Sequence, residues 1–194
     1  MPTNRKKILV HACCAACLSY VFSDLSKDNY EIIVLFFNPQ IENESEYKRR
    51  LEDITNFCSD KEIKLIVPTY DTHLFSRPLV PLRDDNSIKY ISDKDRFRRR
   101  RCELCTNLLI CAIVAEAKKL KLNYFTTTLL CSPYKDHNQI WDVGGQAAED
   151  HNLVFYYKDF RKGYWTGRNF ARNHDMMIPA YCGCNDSLTE GRLE

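Results

Sequence analysis

The sequence predicts an α/β fold in which helices cover both faces of a parallel sheet. Short runs rich in Ile, Val, Leu and Phe alternate with longer segments whose apolar residues recur at helical spacing. This alternation is typical of a parallel sheet with helical crossovers. A turn carrying three cysteines, residues 11–17, follows the first strand-like run directly. Sites in such sheets lie at the carboxyl ends of strands, so we expect the functional site there.

The elements follow one another in a regular order. Short apolar segments bounded by turn residues predict strands at 7–11, 31–37, 63–67, 124–128 and 154–157. Helical spacing predicts helices at 15–26, 44–60, about 102–119, 137–151 and 167–174. Pro78, Pro81 and the polar run after them predict an irregular loop or small insertion at about 71–94. A cysteine loop at about 175–190 completes what we predict to be a single domain of 194 residues.

Composition indicates a globular protein without a membrane partner. Hydrophobic residues make up 44% of the chain and charged residues 28%, which is ordinary for a globular domain. The longest apolar runs, such as residues 32–37, are far too short to span a bilayer. Residues 1–7 do not have the pattern of a signal peptide. We therefore expect a cytoplasmic protein, where clustered cysteines indicate metal or redox chemistry more often than disulfides.

Seven of the ten cysteines fall into three groups that are far apart in the chain. These groups are Cys13, Cys14 and Cys17, then Cys102 and Cys105, then Cys182 and Cys184. Grouped thiolates bind soft metals, and seven thiols exceed the four that one tetrahedral zinc ion takes. The surplus predicts an iron–sulfur centre with further sulfur ligands beside it.

Other cysteine chemistries fit the spacing less well. A radical S-adenosylmethionine motif would need a third cysteine where Tyr20 stands, and a thioredoxin motif would leave Cys13 unexplained. A phosphate-binding loop would need glycines after the first strand, and residues 11–17 contain none. Structural zinc on the second and third groups remains an open alternative. We predict that Cys58 and Cys111 are buried core residues, and that Cys131 lies beside the site.

Basic residues mixed with aromatic ones indicate contact with nucleic acid. Residues 96–101 run into Cys102, and a second basic group is interleaved with aromatic side chains. Such mixtures pair with phosphates and stack on unpaired bases, although a solvated helix face is the alternative explanation. The predicted contacts are Arg98, Arg99, Arg100, Arg101, Arg161, Arg168 and Trp165.

Five motifs along nearly the whole chain resemble the cobalamin-independent epoxyqueuosine reductases, the QueH family. They are His11-x-Cys13-Cys14-x-x-Cys17, Arg101-Cys102-x-x-Cys105, Thr126-Thr-Thr-Leu…Ser132-Pro-Tyr-Lys-Asp136-His137, Asp159-Phe-Arg161-Lys-Gly163 and Tyr181-Cys182-Gly-Cys184. The family usually reads C-C-A-P-C in the first motif, whereas Ala16 replaces the proline here. We expect this change to loosen the turn without removing a ligand.

The resemblance implies a Rossmann-like fold of the adenine nucleotide alpha hydrolase type. It also implies a [4Fe–4S] cluster with an adjacent mononuclear metal, which we expect to be iron. The implied reaction reduces epoxyqueuosine to queuosine at the wobble position of tRNA anticodons, with a ferredoxin or flavodoxin as electron donor. We assign the cluster to Cys102, Cys105, Cys182 and Cys184, and the second metal to Cys13 and Cys14, with Cys17 able to serve either.

Removing the epoxide oxygen as water requires two electrons, two protons and an acid near the leaving oxygen. The candidate acids follow the fourth predicted strand: Asp136, His137 and Tyr134, with His11 and Asp159 behind them. Two other functions remain open. One is a zinc-stabilised tRNA-binding module without redox activity. The other is a tRNA-sulfur-transfer thiol enzyme on the same fold, which the glycine-free first loop disfavours.

Overall fold

The computed structural model describes residues 5–83 and 91–190, and within these residues five parallel strands form one sheet. The strands are β1 Lys6–His11, β2 Tyr30–Leu35, β3 Lys64–Ile66, β4 Tyr124–Thr127 and β5 Val154–Phe155. The helices are α1 Ala15–Lys27, α2 Glu44–Asp60, α3 His73–Arg83, α4 Ile91–Lys119, α5 His137–His151, α6 Tyr164–Asn173 and α7 Asn185–Thr189. None of the described helices is long and apolar enough to cross a membrane.

Both faces of the sheet are covered, because side chains of the central strands alternate between two hydrophobic clusters. Ile8 and Val10 of β1 lie in the cluster that includes residues of α1 and α2. Leu9, between them, lies in the second cluster with residues of α4 and α5. This burial on both faces explains why the strands read as continuous apolar runs. The predicted parallel sheet with helices on both faces is therefore confirmed.

The strand order places the first cysteine loop at the centre of the sheet. The order is β3-β2-β1-β4-β5. Strands β2 and β3 therefore lie on one side of β1, and β4 and β5 lie on the other. The carboxyl ends of β1 and β4 lie side by side, with His11 paired to Thr127. Ligands of open α/β sheets bind in the crevice at this switch point. Cys13 and Cys14 lie there, immediately after β1.

Several sequence-based boundaries are wrong. The predicted cysteine loop at about 175–190 contains the short helix α7, and the helix predicted at 167–174 begins at Tyr164. The predicted irregular segment at 71–94 contains helix α3, although Pro78 and Pro81 lie inside it. Phe75 and Leu79, four residues apart, are buried in the core, and this packing stabilises a helix whose prolines remove backbone hydrogen bonds. Helix α4 begins at Ile91, well before Cys102. The rest of the predicted segment, residues 84–90, lies outside the described residues.

Helices α1 and α6 approach closely beside the cysteine loop, and Gly167 makes this approach possible. A Cβ atom at Gly167 would lie 2.1 Å from the carbonyl oxygen of Ala16. We expect Gly167→Ala to lower the free energy of unfolding by about 1–3 kcal/mol, because overpacking forces the backbones apart. Urea unfolding measures the change. Gly145→Ala is the matched control, because a Cβ there meets nothing within 4 Å and should raise stability by about 0.5–1 kcal/mol. Equal effects of the two substitutions would contradict the close approach.

Candidate metal centre

The first cysteine group is compact. Its three sulfur atoms, those of Cys13, Cys14 and Cys17, lie within 4.8 Å of one another. Cys14 is the N-cap residue of α1, with an extended backbone, so the group lies at the positive end of a helix. That position stabilises thiolates. The donor set, its spacing and its place in the helix suit a soft metal ion.

The pKa values of the three thiols are shifted in different directions. Hydrogen bonds with Cys14 and Cys17 hold the pKa of Cys13 well below its usual range, although burial opposes this. The same hydrogen bonds raise the pKa of Cys14 and of Cys17. The backbone N–H of Cys13 donates to the Thr128 hydroxyl oxygen at 3.1 Å, and that oxygen lies 3.3 Å from the Cys13 sulfur. The Thr128 hydroxyl therefore contacts both the backbone and the sulfur of Cys13 and fixes the position of this side chain.

His11 supports the loop and is not placed to bind a metal. It is fully buried, its Nε2 donates to the Phe37 carbonyl at 3.1 Å, and its Nδ1 accepts from the Thr127 hydroxyl at 2.9 Å. Burial lowers the pKa of His11. A neutral imidazole with both nitrogens engaged links the end of β1 to Phe37, just after β2, and to Thr127 at the end of β4, and it has no free lone pair.

The second and third cysteine groups lie against the first. Cys105, three residues after Cys102 on the same face of α4, is buried. The Cys182 and Cys184 sulfur atoms are 3.7 Å apart in the segment before α7. A narrow cavity of about 60 Å³ is lined by all three residues of the first group together with Cys105 and Cys182. Cys102 and Cys182 also line a neighbouring cavity of about 520 Å³. The three groups therefore converge on one small region.

Gly183 allows the third group to form its turn. Its φ of +120° lies in the region that L side chains rarely adopt, and a Cβ there would lie 2.7 Å from Ile41 Cγ1. Only glycine combines this backbone with this close approach. The turn brings both of its neighbouring sulfurs to the same side.

Two buried arginines attach the third cysteine group to the rest of the fold. Arg50 of α2 donates to Glu46 at 2.6 Å and to the Tyr181 carbonyl at 3.0 Å. Arg101 of α4 forms a two-pronged ion pair with Glu190, at 2.6 and 2.7 Å. Each arginine is only 2% exposed. The role of Arg50 was not predicted from the sequence, because no local pattern indicates that a helix residue will contact a loop far along the chain.

Comparison with known proteins identifies the family. The family model described as "Epoxyqueuosine reductase QueH" matches residues 8–190. The chain belongs to the QueH family. A relative from Thermotoga maritima named epoxyqueuosine reductase QueH is 29% identical over 187 residues, covering 95% of this chain and 92% of that protein. Another from Dehalococcoides mccartyi is 26% identical over 179 residues, covering 92% and 90%. A third from Helicobacter pylori is 31% identical over 191 residues, covering 93% of this chain and 49% of that protein.

Among solved structures, the U34-tRNA thiolase NcsA from Methanococcus maripaludis with its [4Fe-4S] cluster aligns with 89% of this chain and 67% of that one. The sequences are 12% identical and the TM-score is 0.35, which is too low to support a conclusion on fold or cofactor. Membership of the QueH family therefore depends on the sequence comparisons. The fold assignment depends on the strand order and on the two covered faces of the sheet.

In this QueH family member, two of the three candidate acids line the larger cavity. Tyr134 is 46% exposed and lines it together with Asp136. Asp136 is also the N-cap of α5 and accepts from the Gln139 N–H. His137 differs: it is buried, its Nε2 faces the Ser132 carbonyl at 3.2 Å, and its ring packs edge-on against Tyr157. Its place favours a structural role for His137 and leaves Tyr134 and Asp136 as the acids nearest the cavity.

The residues predicted to contact nucleic acid differ in exposure and in their partners. Arg98 and Arg99 line the larger cavity, Arg100 is exposed, and exposed Arg161 pairs with Asp159. The guanidinium of Arg168 lies over the rings of Tyr164 and Trp165, at 5.2 and 5.7 Å. Arg101 also lines the larger cavity, but it is buried and its charge is paired with Glu190, so its position differs from that of an exposed phosphate contact. Along a helix every third or fourth residue faces inward. A run of consecutive arginines does not show in sequence which of them is the inward-facing one.

The remaining cysteines have mixed outcomes. Cys58 is buried, as predicted, but Cys111 is exposed, because its position on α4 faces away from both clusters. Cys131 is fully buried and stays a neighbour of the site. Hydrogen bonds with Cys13 and then with Cys131 raise the pKa of Cys17.

Proposed function

We propose that this protein reduces epoxyqueuosine to queuosine at the wobble position of tRNA anticodons, the final step of queuosine biosynthesis. One observation carries the proposal: in a chain of the QueH family, three distant cysteine groups converge on one cavity at the switch point of the sheet. The seven thiols of these groups outnumber the four that one structural zinc ion takes. We place the activity in the cytoplasm, with a ferredoxin or flavodoxin as the electron donor.

The donor set suits two metal centres. Cys102, Cys105, Cys182 and Cys184 supply the four thiolates that a [4Fe–4S] cluster takes, and they come from one helix face and one glycine turn. Cys13, Cys14 and Cys17 form a separate set that suits a mononuclear metal, which we propose to be iron. When bound, the cluster supplies electrons one at a time, and the adjacent metal supplies Lewis acidity toward an oxygen.

The protein's own residues bind the nucleoside and deliver protons. Reduction breaks both carbon–oxygen bonds of the epoxide and forms the carbon–carbon double bond, consuming two electrons and two protons and releasing water. The larger cavity has room for a nucleoside beside Cys102 and Cys182. Tyr134 and Asp136 line this cavity, so their side chains can hold or pass a proton to the departing oxygen. The exposed ring of Trp165 beside Arg168 offers a stacking face to an unpaired base.

Charge reversal on the exposed side of α4 should weaken tRNA binding. We expect the double substitution Arg99→Glu, Arg100→Glu to lower affinity and to reduce the slope of log affinity against log salt concentration by about 1 for each phosphate that the protein no longer neutralises. Binding of the tRNA at several salt concentrations measures both effects. The matched control is Lys118→Glu, Lys119→Glu at the other end of the same helix. An unchanged slope for the first pair would remove this surface from the tRNA interface.

The direct test of function uses protein purified without oxygen. We expect about four irons and four sulfides per chain in a [4Fe–4S] cluster, a further metal ion, and conversion of epoxyqueuosine in tRNA when a low-potential reductant is added. Nucleoside analysis of the tRNA follows the product. One zinc and no sulfide would support the RNA-binding module instead. Transfer of sulfur to tRNA without loss of the epoxide would support the thiol enzyme.

A further inference from the structure

Lys135 occupies a place that does not favour a cation. It immediately precedes Asp136, the N-cap of α5, where the partial positive charge of the helix end repels an ammonium group. Its side chain is half-buried rather than extended into water. It lines both the narrow cavity and the larger one. A lysine held in such a place needs a negative partner to offset the loss of hydration.

The two buried arginines near the cysteines have carboxylate partners, whereas Lys135 has none among the described residues. Arg50 is paired with Glu46, and Arg101 with Glu190. Within residues 5–83 and 91–190, no carboxylate forms an ion pair with Lys135. Arg168, which lines the same narrow cavity, also lacks a carboxylate partner among the described residues, but its guanidinium donates to the Tyr164 hydroxyl and to the Pro179 carbonyl.

The two cavities show which sulfurs Lys135 faces. It shares the narrow cavity with Cys105 and Cys182, and the larger cavity with Cys102 and Cys182. The lysine therefore faces sulfurs from two separate parts of the chain, α4 and the segment before α7.

We propose that Lys135 is a positioning residue of the redox step, whose fixed charge sets the reduction potential of the centre held by Cys102, Cys105, Cys182 and Cys184. The inference rests on the proposed function, which places an iron–sulfur cluster on these thiols. Each reduction adds one electron, taken from a one-electron donor, and so one negative charge. A cation facing the ligands stabilises the reduced state more than the oxidised state. Removing it should make the centre harder to reduce.

The experiment compares reduction potentials in oxygen-free, iron-loaded protein. Lys135→Met and Lys135→Gln remove the charge, and Lys135→Arg keeps it. Lys119→Met removes an exposed lysine at the far end of α4 and is the control. Potentials are measured by spectroelectrochemistry with electron paramagnetic resonance of the reduced state. Both neutral variants should shift to more negative potential, while Lys135→Arg and Lys119→Met should stay near the unsubstituted protein.

The outcomes separate this inference from the proposed function. Iron and sulfide content is measured first, and an unsubstituted protein without a cluster would overturn the proposed function and this inference with it. A cluster whose potential is the same in both neutral variants would overturn the role of Lys135 alone. A shift in Lys135→Arg as large as that in Lys135→Met would also overturn it, because the effect would then come from packing and not from charge.

Discussion

Cys182→Ala should lose its iron–sulfur cluster and its epoxide-reducing activity. Cys182 lines both cavities, and its sulfur is 3.7 Å from that of Cys184. It thus stands where the three cysteine groups meet. Loss of a hydrogen-bond partner of a metal ligand typically lowers affinity or activity by about 10–100-fold, so loss of a ligand should lower activity by more than about 100-fold. Iron and sulfide analysis, the visible spectrum and conversion of epoxyqueuosine in tRNA measure the result.

The matched control is Cys111→Ala. Cys111 lies on α4, as Cys102 and Cys105 do, but its side chain is exposed. This variant should keep its iron, sulfide and activity, which separates ligand loss from general sensitivity to cysteine replacement. A Cys182→Ala protein with its full complement of iron and sulfide would place the cluster on other thiols. Cys14→Ala extends the test, because it should keep the cluster and lose the additional metal.

Arg50→Met should produce the largest loss of stability. The Arg50 side chain is 2% exposed and its Glu46 partner 13% exposed, with 2.6 Å between Nη2 and Oε1. Removing one member of a buried ion pair leaves the other charge unpaired, which typically lowers the free energy of unfolding by about 3–5 kcal/mol. The substitution also removes the donor to the Tyr181 carbonyl. The segment that carries Cys182 and Cys184 should therefore become less ordered, and the protein should retain less iron.

Lys48→Met is the control on the same helix. Lys48 pairs with Glu44 at 2.7 Å, but the two side chains are 72% and 67% exposed. Exposed pairs of this kind contribute about 0.5 kcal/mol or less within a helix. Urea unfolding of metal-free, reduced protein gives both values. If Arg50→Met changed stability as little as Lys48→Met, the cysteine loop would be held by other contacts.

The regular elements were accessible from sequence, because local periodicity reports burial. Ile8, Leu9 and Val10 alternate between two covered faces, and this produces the apolar run that predicts a buried strand. The boundaries of α3 and α4 were not accessible in the same way. Pro78 disfavours a helix locally, and the packing of Phe75 and Leu79 that stabilises α3 involves parts of the chain distant in sequence.

For the site as well, some features could be predicted from the sequence and others depended on the tertiary structure. The spacing of the cysteines, their surplus over one zinc ion and the motifs shared with the QueH family are properties of the sequence by itself. Tertiary structure alone decided that the three groups meet, that Arg101 points inward to Glu190 and that Lys135 faces the thiols without a carboxylate partner among the described residues. Spacing along the chain reports only neighbours within a few residues. Charge pairing and convergence depend on distances between segments that the sheet brings together.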